Sequence, residues 1–208
     1  MIARFLLVLA LLIPPAPPVR TSGTDLHRIS IRVHDYAGVN QDDLSAAQAQ
    51  VSAIFETAGV RFDWRVAVRP DDVRGGIAKW PSDAVSRLQV LLVNSDRARG
   101  VGMREDVAGY AAVTSKIGGH LAFVVTDRTK MIAEDGDVPH SRVLALVMAH
   151  ELAHLFMPSR PHAVAGIMRA RWKPAEFRYL EQPFSRAEAK EIRQAVSELT
   201  GATSTIAD

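Results

Sequence analysis

Apolar and polar residues alternate from His27 to Val33 (H-R-I-S-I-R-V), the period of a strand with one buried face. The period then lengthens. Leu44, Ala47, Val51, Ile54 and Phe55 fall on one side between Leu44 and Ala58, which predicts an amphipathic helix. Asp42 or Asp43 can cap it, and Gly59 stops it. Alternation returns from Val60 to Val68 and predicts a second strand. A loop carrying Pro, Asp and Gly follows from Pro70 to Gly76, with a short helix expected around Asp83 to Arg87. Leu88 to Val93 is apolar enough for a strand in the middle of a sheet. Asn94 to Val107 reads as a polar surface loop, Gly109 to Ser115 as a weak strand of small residues, and His120 to Thr126 as a strong one. Asp127 to Ser141 reads as a second polar loop, with Ser141 as cap of a largely apolar helix from Val143 to Phe156. Pro158, Pro161 and Gly166 enforce irregular chain beyond it. The last element runs from Phe184 to Leu199, where Ser185-Arg186-Ala187-Glu188 fits a capping box and Ala189, Ile192, Val196 and Leu199 form the apolar face. Thr200 to Asp208 is expected to fray.

The amino terminus has a different pattern. Arg4 is followed by an unbroken apolar run, Phe5 to Ile13, ended by Pro14-Pro15-Ala16-Pro17-Pro18. That is the layout of a secretory signal, here residues 1–22, and the run is too short for a membrane span. A secreted or periplasmic protein without stable membrane insertion is expected, its single domain covering residues 27–200. The net charge of +2 is small, and the arginines are scattered without aromatic interleaving, so no nucleic-acid partner is expected. There is no cysteine, which excludes disulfides and thiolate ligands to a metal.

The chemistry concentrates in His150-Glu151-Leu152-Ala153-His154. Histidines at i and i+4 project from one helix face a turn apart, so both imidazoles can reach a single ion. Glu151 points at the same space from another angle, placed to take a proton from an activated water rather than to hold the ion. Leaving such groups unpaired in an apolar helix costs roughly several kcal/mol, and a bound zinc removes that cost. His162 follows eight residues on, with Gly166-Ile167-Met168 close behind. His27, His34, His120 and His140 have no ligand spacing and are expected to be structural.

With these residues the chain resembles a metzincin-type zinc metallopeptidase. The resemblance spans about His27 to Trp172, and its specific part is His150 to Met168. It implies an α+β, zincin-like fold: a twisted, mostly parallel sheet packed on two helices, one carrying the H-E-x-x-H segment, with a C-terminal helix. It implies one catalytic zinc on His150, His154 and His162, Glu151 as general base, and Met168 as the methionine of a tight turn beneath the metal. Two positions depart from the family pattern. The pattern has glycine three residues, and the third ligand six residues, after the second histidine. Here Met157 and Arg160 stand there, and His162 comes two residues later with Pro158 and Pro161 inside the loop. The prolines can replace glycine as the device that ends the helix. A downstream glutamate, as in thermolysin-like peptidases, is the rival ligand. Glu176 or Glu181 would serve, although neither lies in a convincing helix after Pro174. Tyr179, and less so Tyr110, can donate to a developing oxyanion.

The resemblance implies a zinc endopeptidase acting on a peptide or protein substrate; the signal layout makes it an exported one, and a monomer is expected. A peptide can add as an extra strand along Gly109 to Ser115, the expected edge above the cleft. A zinc-binding protein of the same fold with little turnover is the alternative, as is a domain whose motif is accidental. Val19 to Leu26, between the signal and the first strand, is too short to fold as a pro-domain and spans at most about 29 Å. Protein beginning near Gly23 is thus expected to act without further proteolysis.

Overall fold

The computed structural model describes residues 26–66, 88–114, 119–179 and 184–204. The expected signal sequence, the end of the second strand, the loop from Pro70, the short helix near Arg87, and Glu181 lie outside the described residues. Alternation in the first strand, β1 (His27–Asp35), turns Ile31 and Val33 to one face, both fully buried. Helix α1 (Gln41–Glu56) returns the chain so that β2 (Val60–Val66) pairs with β1 in parallel. On the other side of β1 runs β3 (Leu88–Val93), also parallel, every residue of which is buried. β5 (Gly119–Val125) pairs in parallel with β3, and β4 (Gly109–Thr114) closes the sheet as an antiparallel edge. The order is β2-β1-β3-β5-β4, an α+β domain with a mostly parallel five-stranded sheet, as the resemblance implied.

One face of this sheet carries the main core. Ile31, Val33, Leu88, Val90, Leu92, Ala122 and Val124 meet the apolar sides of α1, of α4 (His140–Phe156) and of α5 (Arg186–Ser204). The opposite face holds a smaller cluster, Leu91, Val93, Phe123 and Val125, with Ala98 packed on it. The C-terminal helix forms as its capping box requires: the Ser185 N–H donates to Glu188 Oε2 (2.7 Å) and the Glu188 N–H to Ser185 Oγ (3.2 Å).

Several expectations need correction. The segment read as loop from Asn94 holds helix α2 (Ser95–Gly100), capped by the Asn94 side chain, with Ala98 its one buried residue. The segment read as loop from Asp127 is mostly helix α3 (Thr126–Gly136), whose buried side is Thr126, Thr129, Ala133 and Gly136. That face is small and half polar, so it leaves no hydrophobic periodicity to read. Helix α4 starts at His140 after Pro139, not behind a Ser141 cap. Helix α1 is capped by Asn40, whose side chain accepts from the N–H groups of Asp42 and Asp43, so those aspartates are first-turn residues. A 3-10 helix does form at Pro174–Arg178, where none was expected.

Candidate metal centre

Helix α4 packs against α1, α3, β4 and β5, and its residues from Val143 to Ala149 are all buried. His150 and His154 emerge half-buried from the end of this apolar stretch, and an exposed His162 meets them from the loop beyond. His154 Nε2 lies 3.1 Å from His150 Nε2 and 3.2 Å from His162 Nε2. The His150 and His162 rings stack at 5.2 Å, while His154 stands edge-on to both. Ligand atoms of all three lie within 4.8 Å of one another, an arrangement able to hold a metal ion.

The donor set fits zinc closely. Tetrahedral bonds of 2.0–2.1 Å to imidazole nitrogens separate neighbouring nitrogens by about 3.3 Å. Hydrogen bonding among the rings does not explain the cluster. His150 Nδ1 is 2.7 Å from the carbonyl oxygen of Ile167, which can only accept, so Nδ1 carries the proton. The Nε2 of a neutral His150 is then a bare lone pair, and His154 Nε2 has at most one hydrogen for two neighbours. The same Ile167 bond fixes the tautomer that metal binding needs.

The electrostatics agree with this. Burial first, then the nearby His162, holds the pKa of His150 below the ordinary histidine value, and the Ile167 bond opposes the shift. Burial, then His150 and His162, brings His154 down to about 4. Both rings are thus neutral, the form that binds metal, at neutral pH. Glu151 is 7% exposed, and burial pushes its carboxyl up to about 8. A pair of half-buried neutral imidazoles beside a buried carboxyl is a site that gains from a cation.

The loop to His162 shows how the two departures from the family spacing are accommodated. The helix ends at Met157 with φ −127° and ψ 59°, outside the left-handed region, so no glycine is required. Pro158 then occupies the second position of a turn closed by the Arg160 N–H and the Met157 carbonyl (3.0 Å). Arg160 pairs with Glu191 and approaches Glu188 at 3.8 Å, tying the loop to α5. Past His162 the chain closes on itself: the Ala163 N–H donates to the Met168 carbonyl (2.8 Å), and Gly166 supplies the positive φ of 74° that the turn demands. Met168 is fully buried in this turn.

His150, His154 and His162 are thus brought together with Glu151 in the same helix turn. Glu176 is engaged elsewhere, accepting from the Lys173 N–H (2.8 Å) and pairing with Arg169 (3.1 Å). Tyr179 is 71% exposed at the end of the 3-10 helix, and no contact among the described residues ties it to the histidines. Tyr110 is an exposed residue of β4. His140 bridges helices, with Asp43 at 3.3 Å and Thr129 at 3.0 Å. The contribution of the Ile167 carbonyl was not foreseen, since a backbone acceptor has no signature in residue type.

No protein-family model and no curated protein matches this chain. Its fold is similar to that of archaemetzincin from Methanopyrus kandleri, with a TM-score of 0.52 and 18% identity over 86% of this chain and 99% of that one. A Thermotoga maritima protein solved in solution overlaps more loosely, at a TM-score of 0.35 and 12% identity over 85% of this chain and 93% of the other. The chain therefore has an archaemetzincin-like fold.

Proposed function

We propose that this protein is an exported zinc-dependent metallopeptidase that hydrolyses peptide bonds, with zinc held by His150, His154 and His162. The observation that carries the reading is the convergence of three imidazoles, His154 Nε2 standing 3.1 and 3.2 Å from the other two, with a buried glutamate next in sequence to the first. Zinc at such a site supplies a Lewis acid that polarises a carbonyl and lowers the pKa of water from 15.7 towards about 7.

The chain's own residues do the rest. Glu151 is the general base in its ionised form, which a cation on the neighbouring histidines would favour against the upward push of burial: it accepts a proton as water oxygen bonds to the substrate carbonyl carbon. It then delivers that proton to the amide nitrogen as the C–N bond breaks, leaving an acid and an amine. His150 is held in its working tautomer by Ile167. Met168, buried in the turn that presents Ile167, is the turn methionine of this reading. Tyr179, with its exposed ring, is the candidate donor to the substrate oxyanion. A peptide substrate adds as a strand along β4, the outer strand of the sheet next to α4. Among the described residues no helix is long and apolar enough to cross a membrane.

Two measurements test the reading. Metal analysis of purified protein should find one zinc per chain, and a casein or peptide-library digest should show cleavage that a chelator removes and zinc restores. Absence of bound zinc after loading overturns the metal site. Zinc without cleavage leaves a binding module of the same fold.

A further inference from the structure

The carboxylate of Glu151 lies against the first residue of the edge strand. A Cβ built on Gly109 would sit 2.6 Å from both Cγ and Oε1 of Glu151, and 2.8 Å from Cδ. Carbon atoms in ordinary contact stand about 3.5–4.0 Å apart. The strand side is held in place, so the Glu151 side chain is what must move. The chain entering β4 is pinned by Arg128, whose guanidinium donates to the carbonyls of Arg104 (2.7 Å) and Val107. The Val125 N–H fixes the Ala108 carbonyl at 2.8 Å. Glu151 itself is 7% exposed. Small size along β4 is not a general requirement, because Ala111, two residues on and facing the same way, packs its methyl group on the core.

We infer that Gly109 is a positioning residue: its bare Cα is the wall against which the Glu151 side chain rests, and any side chain there displaces the base. The inference rests on Glu151 being the base only for its effect on catalysis; the contact itself can be tested without activity. It also places the base at the N-terminal end of the strand along which a substrate would lie.

The test is a double-mutant cycle of Gly109→Ala with Glu151→Ala in the full chain, read by thermal unfolding at one fixed zinc concentration. Gly109→Ala alone should lower Tm by about 3–9 °C, the scale of an overpacked contact in a domain of this size. In the Glu151→Ala background that loss should vanish, whereas in the isosteric Glu151→Gln background it should persist. Where Gly109→Ala does not fold, the double variant with Glu151→Ala should. An equal loss in both backgrounds, a Gly109→Ala variant as stable as the parent, or a double variant that also fails to fold would each overturn the inference. In the activity arm, Gly109→Ala should cut kcat by roughly tenfold to a hundredfold with KM and zinc content nearly unchanged, the scale of a misplaced group. If the parent chain shows no peptidase activity, the functional reading fails while the cycle still decides the contact.

Discussion

Two buried histidine environments on opposite faces of the sheet invite comparison. His34 in β1 is 2% exposed, on the face away from α4. It stacks on Tyr36 at 6.0 Å. Its pKa is lowered by burial and then by Arg32, with the Gln89 side chain pulling the other way. On the helix face, burial likewise lowers the pKa values of His150 and His154. Burial and a depressed pKa are therefore common to both and do not make a site. Among the described residues, only at the end of α4 and the loop beyond it do imidazole nitrogens converge at 3.1 and 3.2 Å, with a carbonyl setting the tautomer and a carboxyl alongside. A metal centre is a matter of shared focus, which one isolated ring cannot have.

The largest contrast should appear on removing His154, the ring that stands close to both others. His154→Ala should carry almost no zinc at micromolar protein and no peptidase activity, and His162→Ala should lose most of its metal with the sheet intact by circular dichroism. His34→Leu should keep a full complement of zinc. Full zinc in the His162→Ala protein would move the third ligand elsewhere.

Removing the proposed base should separate chemistry from binding. Glu151→Gln should retain zinc and fold yet hydrolyse peptides at least roughly a hundredfold more slowly in steady-state assays. Activity equal to the parent would sink the assignment.

Stripping the metal should have a smaller, global effect. Zinc present at a hundredfold excess over its dissociation constant adds about 2.7 kcal/mol, so a chelator should lower Tm by about 5–11 °C. The same treatment of His154→Ala should leave its Tm unmoved.

The smallest effect is expected at His34. Its folded-state pKa lies below the ordinary 6.5, so below that pH the unfolded chain binds more protons than the folded one. Stability is therefore retained above pH 6.5 and declines as the pH falls towards the folded-state pKa. His34→Leu should remove this part of the acid decline, with the smallest change at pH 7, where the ring is mostly neutral in the folded and unfolded chains alike. Denaturant midpoints from pH 7.5 to 5 measure both; an unchanged profile would show that His34 does not titrate differently on folding.

Some of this architecture is written in local pattern. Alternation in β1, the apolar run of β3 broken only by Gln89, and the 3.6-residue period of α1 depend on neighbours along the chain, as do the capping box of α5 and the i, i+4 histidines of α4. Each is therefore legible from residue type alone. Helices α2 and α3 are not, because the faces they bury consist of Ala98 in one and of Thr126, Thr129, Ala133 and Gly136 in the other. The start of α4 depends on distant partners too, since His140 meets Asp43 of α1 and Thr129 of α3. The choice between His162 and Glu176 lay beyond spacing as well. A turn at Pro158, an ion pair from Arg160 to a helix near the end of the chain, and the bond from Ala163 to Met168 carry His162 to its neighbours. Arg169 and Lys173 meanwhile hold Glu176 away. Residue types and spacing determined which groups could bind a metal; contacts between segments remote in sequence decided which of them meet, because lone pairs converge only through the packing that brings their backbones together.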